Sequence, residues 1–254
     1  MFEDLYSYDD NWKDKYIHPD LLTSDFEAIP REIRRNGNPT DIHVIPVFTK
    51  QFCEEFIKLG NSIPAGTFTR DVKGKKYKLN GWGSNRHQDY ATYDIELNVL
   101  SYYEVHEKFL QEYIYPLLSF MYYTELRNIP GDDEFIISET FLVKYGKEKK
   151  SLDTHLDDSA VSLNVALNEG FTGGGVYFPK QDVFKVTPMG YGLIHPGGIS
   201  HKHCGKSILS GERYQLVSFV DATHRKELKI QKRIMHKLKK YEKLQSKQDN
   251  TQSI

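Results

Sequence analysis

The sequence predicts a mostly β protein with flanking helices, built as a β-sandwich or a double-sheet barrel. Seven short runs rich in β-branched and aromatic residues follow position 135, in the order FIISETFLVKY, SAVSLNVALN, GGVYF, DVFKVTP, YGLIHP, ISHKH and RYQLVSFVD. Turn segments such as EGFTGGG, TPMG, HPGG and LSGE separate them. Short strands at this spacing are typical of double-sheet all-β folds. The 13% aromatic content agrees, because aromatic side chains favour strands and fill a large core.

The segment before these strands has a mixed character. Residues 1–40 carry several prolines and the polar run RRNGNPTD, which predicts an N-terminal arm without a core of its own. DIHVIPVF then predicts a short strand, and Thr49 is placed to cap a helix. The apolar face of that helix holds Phe52, Phe56, Ile57 and Leu59. Cys53 lies near the same face, so we expect it to be a buried small hydrophobic residue.

Three further segments lead up to the strand-rich region. Residues 64–90 are rich in Gly, Lys, Arg and Asn, which predicts irregular loops or a hairpin. ATYDIELNVL, residues 91–100, predicts a strand. Residues 102–123 have apolar residues at helical spacing, and Pro116 is expected to kink that helix.

The charge pattern divides the chain into a body and a tail. Residues 224–254 hold ten Lys or Arg against three acidic residues, a net charge of +7. Because the whole chain has a net charge of -1, residues 1–223 carry -8. The tail predicts a basic amphipathic helix with a frayed end, which either lies against the body or contacts an acidic partner. We therefore predict an arm at 1–40, one domain at 41–223 with its core at 135–221, and this tail.

Composition excludes several classes of protein. No run of 18 apolar residues exists, so we expect no membrane span. The N-terminus MFEDLYSYDDNWKDKY lacks the basic start and apolar core of a secretory signal. Two cysteines cannot build a disulfide framework, which favours a reducing, cytoplasmic compartment.

A histidine and an aspartate are placed to bind one metal ion. His155 and Asp157 lie two residues apart in THLDDS, so both point to the same face if the segment is a strand. A third ligand would come from a downstream cluster that contains His195, His201 and His203. Two imidazoles and one carboxylate leave open positions on the metal, a set that suits non-haem Fe(II) and oxygen chemistry. By the same alternation Asp153 shares the ligand face and Asp158 faces away.

An arginine follows the histidine cluster at the start of a strand. Arg213 lies ten residues after His203 in GERYQLVSF. Its planar fork of donors can hold a carboxylate with two hydrogen bonds. A buried arginine is costly unless it is paired, so an inward Arg213 favours an anionic ligand over an ordinary surface salt bridge.

These motifs together resemble a known family. H-x-D followed by His and then Arg ten residues later is the pattern of Fe(II)/2-oxoglutarate-dependent dioxygenases of the prolyl/lysyl hydroxylase type. FLVKYG, HLDDSAVSLNVALN, FTGGGVYF, MGYGLIHPGGISHKHCG and GERYQLVSFVD resemble, in order, the catalytic domain of procollagen lysyl hydroxylases. The resemblance covers residues 42–221. It implies a double-stranded β-helix core (a cupin-like jelly-roll), with Fe(II), 2-oxoglutarate and O₂, and with ascorbate as a supporting reductant.

The resemblance also implies roles for individual residues. His155, Asp157 and His203 match the iron ligands, and Arg213 matches the residue that grips the distal carboxylate of 2-oxoglutarate. Tyr145 matches an aromatic position near the co-substrate. Asn164, in the LNVALN strand, is expected to face the same pocket. Where the family continues its distal histidine with Glu-Gly-Leu-Pro, a loop that contributes to dimer contacts, this chain has CGKS, so the oligomeric state stays open.

Other residues near these motifs have simpler interpretations. His201 is expected to line the pocket or to pack, and His195 to be a turn or core histidine. The glycines at 173–175 lack the Lys-Ser/Thr and the helix that follow a phosphate-binding loop, so they predict a tight turn between strands.

The leading hypothesis is hydroxylation of an amino-acid side chain, with lysine in a peptide or protein, collagen-like or not, as the expected substrate. The acidic body favours a cationic substrate. Three alternatives stay open: a prolyl hydroxylase that acts on a protein, a turnover-deficient peptide-binding module of the same fold, and a zinc hydrolase. Arg213 argues against the zinc hydrolase, which has no use for a 2-oxo acid.

Overall fold

Two β-sheets pack against each other and are flanked by helices. The computed structural model describes residues 2–23, 28–72, 75–82, 92–122 and 135–222. The larger sheet has seven strands in the order β1-β2-β12-β8-β15-β6-β5, and the smaller has four in the order β11-β10-β13-β7. Two two-stranded sheets, the long-range pair β14-β9 and the hairpin β3-β4, complete the strands of the described residues. This architecture agrees with the predicted mostly β class with flanking helices.

The strands are short, as the turn-rich sequence predicts. Their bounds are β1 Arg31–Glu32, β2 His43–Pro46, β3 Thr67–Val72, β4 Lys75–Asn80, β5 Tyr93–Glu96, β6 Phe135–Tyr145, β7 Leu152–His155, β8 Val161–Ala166, β9 Thr172–Gly173, β10 Val176–Phe178, β11 Val183–Lys185, β12 Tyr191–Pro196, β13 His203–Gly205, β14 Ile208–Ser210 and β15 Arg213–Ala222. Six of the seven predicted runs contain a strand. The exception is ISHKH, where Ile199–His201 form a 3-10 turn and only His203 belongs to a strand, as the first residue of β13. The glycines at 173–175 all have positive φ: Gly173 ends β9, and Gly174 and Gly175 form the turn that leads into β10.

The helices lie on one face of the larger sheet. Their bounds are α1 Asp10–Tyr16, α2 Pro19–Leu22, α3 Lys50–Asn61, α4 Tyr103–Phe109 and α5 Tyr115–Met121. Helix α3 begins as predicted, because the Thr49 side chain accepts a hydrogen bond from the Phe52 backbone N–H at 3.3 Å. Phe52, Cys53 and Phe56 are buried in the core that this helix shares with the sheet.

The helix that contains Pro116 changes its winding. Residues Leu110–Ile114 form a π-helical turn between α4 and α5, and the proline lies in the first turn of α5. Proline has no backbone N–H to donate to the preceding turn, so an α-helix cannot run through it unchanged. The predicted interruption is therefore a π-turn that leads into a new helix.

Strand β15 divides the interior of the molecule into two compartments. Its side chains alternate, so Tyr214, Leu216 and Val220 belong to the core beneath the helices. Arg213, Gln215, Val217, Phe219 and Asp221 line a cavity between the two sheets. One strand thus separates an apolar helical core from a cavity that holds charged and polar side chains.

The N-terminal segment joins the main core. Trp12 and Tyr16 of α1 are buried among the same side chains as α3 and α4. The Trp12 indole N–H donates to the Leu5 carbonyl at 2.9 Å, so the polar edge of the ring is satisfied inside the protein. These residues have no separate core, in line with the predicted arm, and the domain boundaries themselves stay a prediction.

Two other predictions can be placed against the described residues. The basic amphipathic tail at 224–254 lies outside them. None of the described helices is long and apolar enough to cross a membrane.

Replacement of Trp12 by alanine tests whether the N-terminal segment belongs to the folding unit. We expect Trp12→Ala to lower the free energy of unfolding by about 3–5 kcal/mol, the usual cost of removing a buried large aromatic side chain. Denaturant unfolding of the full chain measures this change. The matched control is Lys50→Ala on the exposed side of α3, which should change stability by less than about 0.5 kcal/mol. Equal effects of the two variants would show that the segment does not contribute to the core.

Candidate active site

Two histidines meet across neighbouring strands of the smaller sheet. His155, the last residue of β7, is the direct antiparallel partner of His203, the first residue of β13. Their ring centroids lie 4.4 Å apart. One ligand atom from each of His155, Asp157 and His203 lies within 4.8 Å of the other two, and all three side chains line the cavity. The structure therefore brings the three predicted ligands together.

Both imidazoles present the same nitrogen toward this group. His155 Nδ1 lies 2.8 Å from the Asp153 carbonyl, and His203 Nδ1 lies 3.0 Å from the His201 carbonyl. A carbonyl only accepts hydrogen bonds, so both Nδ1 atoms carry the proton. The Nε2 atoms of both rings face the Asp157 carboxylate and carry the lone pairs that can bind a metal, and the backbone fixes the orientation of each ring.

Asp157 does not lie on the strand that the H-x-D spacing predicts. Strand β7 ends at His155, and the backbone carbonyl of Asp157 accepts a hydrogen bond from Gly198 at 3.1 Å. The loop, rather than strand alternation, aims the carboxylate at the histidines. Alternation ends with the strand, so the prediction that Asp158 faces away no longer follows from it, and the consecutive residues 155–158 all line the cavity. The side chain of Asp153 is exposed.

The surroundings of Asp157 strongly favour the ionised form of its carboxyl group. Oδ1 lies 3.4 Å from His155 Nε2 and 3.8 Å from His203 Nε2. Burial on its own would raise the pKa of the Asp157 carboxyl. The surrounding imidazoles and the Ser162 hydroxyl outweigh burial and hold that pKa well below its usual range. The group therefore offers a fixed anion to a cation in the cavity.

The two histidines respond differently to their surroundings. Burial would lower the pKa of His155, but its hydrogen bond with Asp157 outweighs this effect and the pKa is raised. Burial lowers the pKa of His203. As the pH falls, His155 is therefore the first of the two to take up a proton, which a metal ion has to displace.

The remaining histidines of the cluster have supporting positions. His195 is fully buried, and burial lowers its pKa to about 3, so the ring is neutral. Its Nδ1 donates to the Pro196 carbonyl at 2.9 Å, and its Nε2 accepts from the Asn164 amide at 3.3 Å. His201 Nε2 donates to the Thr40 carbonyl at 2.9 Å, so His201 is a packing residue. The spacing to Arg213, which selected His203 from this cluster, agrees with the geometry.

Arg213 is a buried cation at one end of the cavity. It is only 3% exposed, and no carboxylate among the described residues forms an ion pair with it. Its guanidinium lies 5.4 Å from the centre of the Tyr145 ring, and burial lowers its pKa from the ordinary value. A buried guanidinium without a counter-ion is unfavourable, so the site is arranged for an anion.

The cavity connects Arg213 to the three clustered ligands. Its volume is about 630 Å³, enough for two small molecules side by side. Tyr145 and Asn164 both line it, as expected from the sequence. Among the described lining residues Arg213 is the sole Lys or Arg.

Acidic side chains line the other end of the cavity. Asp221 is fully buried there, near the C-terminal end of β15, and Glu139, the partner of Phe219 across β6 and β15, also lines the cavity. A β-bulge in β6 places Ser138 as an extra residue opposite Phe219 and Val220 of β15, so Ser138 and Glu139 both reach the cavity. No residue pattern in this segment predicts the bulge.

Comparisons with known proteins point to one family. A scan against protein-family models found no match. The chain is 30% identical over 226 residues to procollagen-lysine,2-oxoglutarate 5-dioxygenase 1 of Rattus norvegicus, and the match covers 86% of the chain and 28% of that protein. It is 32% identical over 231 residues to the procollagen lysyl hydroxylase and glycosyltransferase of Acanthamoeba polyphaga mimivirus, which covers 86% of the chain and 23% of that protein.

The chain belongs to the 2-oxoglutarate-dependent dioxygenases of the lysyl and prolyl hydroxylase type. A crystal structure of a 2OG-Fe(II) oxygenase family protein from Burkholderia pseudomallei has the same fold, with a TM-score of 0.50 and 15% identity over 71% of this chain and 85% of that one. The expected double-stranded β-helix is thereby confirmed. This dioxygenase spans about a quarter of the length of the curated relatives it matches.

The donor set of the dioxygenase fits iron. Two imidazole nitrogens and one carboxylate oxygen within 4.8 Å of one another match the ligand set of non-haem Fe(II) sites with open positions. Sequence reasoning missed Asp221, Ser162 and the bulge at Ser138. Only the strand register and the hydrogen bonds reveal that these residues belong to the site.

Histidine variants test which imidazoles bind the metal. We expect His203→Ala to weaken Co(II) binding at least about 100-fold, since it removes one of three ligands, and His201→Ala to leave it within about threefold. Co(II) is the probe because its visible absorption reports binding directly. Both histidines are buried, so loss of packing is matched between the variants. Loss of Co(II) binding in His201→Ala alone would contradict the assignment.

Proposed function

We propose that this dioxygenase hydroxylates a lysine side chain in a peptide or protein. His155, Asp157 and His203 would hold Fe(II), and Arg213 would hold the distal carboxylate of 2-oxoglutarate. The observation that carries the proposal is the buried Arg213, which has no ion-pair partner among the described residues and shares one cavity with the three ligands. The names of the relatives, which act on procollagen lysine, support the substrate class.

The balanced reaction consumes one O₂ and one 2-oxoglutarate for each hydroxyl group formed. One oxygen atom enters the substrate C–H bond and the other enters succinate, with release of CO₂. When bound, iron supplies the activation of O₂ that this reaction needs. The protein contributes a fixed set of three ligands, an anchor for the co-acid and walls that exclude water.

Arg213 and Tyr145 form the proposed anchor for the co-acid. The two residues are direct partners across β15 and β6, so the guanidinium is held beside the ring. Burial raises the pKa of Tyr145, so its hydroxyl stays protonated and can donate a hydrogen bond to a carboxylate. A guanidinium and a neutral phenol together provide the donors that a carboxylate requires.

The three proposed metal ligands His155, Asp157 and His203, called the metal group below, lie between the cationic and acidic ends of the cavity. Asp157 accepts a hydrogen bond from the Ser162 hydroxyl, and Ser162 lies directly opposite Phe219 on β15. Phe219 is two residues from Asp221, about 7 Å along the strand, and six residues from Arg213, about 20 Å. The longer side accommodates a five-carbon diacid together with the long arginine side chain, and the shorter side is left for the substrate.

The acidic side of the metal group supports a cationic substrate. The relatives are named for oxidation at position 5 of lysine, and the ammonium is attached to the next carbon. A lysine that presents carbon 5 to the metal therefore has its ammonium within a few ångströms of the reacting carbon. Asp221, buried about 7 Å along the strand from Phe219, is placed to receive that charge. Proline has no such charge, so the acidic wall favours lysine.

The reductant and the cellular compartment are proposed from the family resemblance and from the cysteines rather than from the geometry of the site. Ascorbate as a reductant follows from the resemblance to lysyl hydroxylases. A reducing, cytoplasmic compartment is supported by the two free cysteines, Cys53 and Cys204. A protein partner is expected as substrate.

Succinate formation from 2-oxoglutarate tests the function. With Fe(II) and ascorbate, we expect turnover to be stimulated by collagen-like peptides that contain Lys and not by the same peptides with Pro or norleucine at that position. Arg213→Gln should raise the KM for 2-oxoglutarate at least about tenfold, because a charge-assisted hydrogen bond contributes about 1.5–3 kcal/mol. Lys206→Gln is the control, since Lys206 is exposed and lies outside the cavity.

The other outcomes separate the alternatives. Stimulation by the Pro peptide alone would favour a prolyl hydroxylase. Peptide binding by iron-loaded protein without any succinate would favour a turnover-deficient binding module.

An Asp221→Asn variant tests how lysine is selected. The change keeps the shape of the side chain and removes its charge, so we expect kcat/KM for the Lys peptide to fall about tenfold or more. Glu148→Gln removes an exposed carboxylate that hydrogen-bonds to Tyr93 outside the cavity, and it should have no effect. An equal fall for Lys and norleucine peptides in Asp221→Asn would show that Asp221 does not recognise the ammonium.

A further inference from the structure

The two oxygens of the Asp157 carboxylate have different surroundings. Oδ1 faces the Nε2 atoms of His155 and His203, at 3.4 and 3.8 Å. Oδ2 accepts a hydrogen bond from the Ser162 hydroxyl at 2.6 Å. Both Ser162 and Asp157 are buried, so water does not compete for this bond. One oxygen thus faces the metal group and the other is held by the protein.

A second serine supports the first. The hydroxyl groups of Ser159 and Ser162 lie 2.8 Å apart, and both residues are fully buried. The single proton of Ser162 is donated to Asp157, so Ser159 is the donor to Ser162. The chain Ser159–Ser162–Asp157 then runs in one direction, and each bond polarises the next.

The turn after β12 fixes the position of these serines. Gly197 N–H donates to the Ala160 carbonyl at 2.9 Å, and Gly198 N–H donates to the Asp157 carbonyl at 3.1 Å. A Cβ at position 197 would lie 2.1 Å from the Ser159 carbonyl oxygen and 2.6 Å from its hydroxyl. Glycine at this position is therefore needed for the turn to pack against Ser159.

The hydrogen bond on Oδ2 has a consequence for metal coordination. A carboxylate binds a metal through one oxygen or through both, and two bound oxygens take up one more position. Two histidines and a one-oxygen aspartate leave three open positions on an octahedral metal. A chelating 2-oxo acid takes two of these positions and O₂ needs the third. Binding through both oxygens of Asp157 would leave too few.

We propose that Ser162, supported by Ser159, is a positioning residue that keeps Asp157 a one-oxygen ligand. The hydroxyl acts through the carboxylate and touches neither substrate nor co-substrate. The inference rests on the metal site of the proposed function, and it assigns to these two serines the preservation of an open coordination position.

Four variants of the full chain test this role. Ser162→Ala removes the donor, and Ser162→Thr retains a hydroxyl. Ser159→Ala removes only the support. Ser218→Ala is the matched control: Ser218 is an equally buried serine on the neighbouring strand β15, and its hydroxyl lies 2.8 Å from His106 on the face away from the cavity.

The readout is the Co(II)-loaded protein without turnover. Its visible absorption depends on the number of coordinated ligands, and 2-oxoglutarate is titrated into it. We expect Ser162→Ala to change the spectrum and to weaken 2-oxoglutarate binding about tenfold or more. Ser162→Thr should restore both toward the wild type, and Ser218→Ala should alter neither, although it lowers the melting temperature.

The serine pair makes a further distinction possible. Ser159→Ala should give a smaller change in the same direction as Ser162→Ala. Because Ser159 acts only through Ser162, the double variant should equal Ser162→Ala alone. If Ser162→Ala does not fold, Ser159→Ala still carries the test.

Several results would overturn the inference. The first is a wild-type spectrum together with a 2-oxoglutarate affinity within about twofold of the wild type in Ser162→Ala, or in Ser159→Ala if Ser162→Ala does not fold. The second is a change in Ser218→Ala as large as that in Ser162→Ala. The third is strict additivity of the Ser159→Ala and Ser162→Ala effects in the double variant. Wild-type protein that binds no Co(II) would overturn the proposed metal site together with it. Wild-type protein that binds Co(II) and 2-oxoglutarate but hydroxylates no Lys peptide would overturn only the substrate assignment.

Discussion

The pairing of His155 with His203 across β7 and β13 is the contact on which the active site depends. The two residues are far apart in the chain, and only the sheet register makes them direct neighbours. A slip of one residue would turn one imidazole to the opposite face, because side chains alternate along a strand. Asp157 is then added from the loop that follows His155, where backbone hydrogen bonds rather than strand geometry aim its carboxylate.

Strand β15 places groups of opposite charge at the two ends of the cavity. It places Arg213 at one end and Asp221 near the other, with the metal group between them. Arg213 is buried without an ion-pair partner among the described residues, which is unfavourable unless an anion is received there. Under the proposed function, an anionic co-substrate and a cationic substrate would bind on opposite sides of the metal. A single strand with regular alternation is enough to separate these two tasks, since every second residue faces the cavity.

Much of the fold follows from local patterns in the sequence, whereas the site follows from them only in part. Thr49 and the apolar residues behind it predict α3 because capping and helical spacing are local properties. The spacing from His203 to Arg213 selects the correct histidine only together with a family resemblance. The cavity position of Asp158 could not be predicted, because alternation fails once β7 ends. Ser162 gave no signal, since a buried serine becomes informative only when its hydrogen-bond partner is known.

Strand β7 is the outer strand of the smaller sheet, paired on one side only. Its short ladder to β13 has an irregular register, so few backbone hydrogen bonds hold it. A cation bound by His155 and His203 ties this strand to its neighbour. If the proposed function holds, a shortage of iron would therefore remove this tie as well as the cofactor. The outer strand would open more often and its exposed edge would be prone to proteolysis and aggregation, so we would expect the amount of the protein to follow the metal supply.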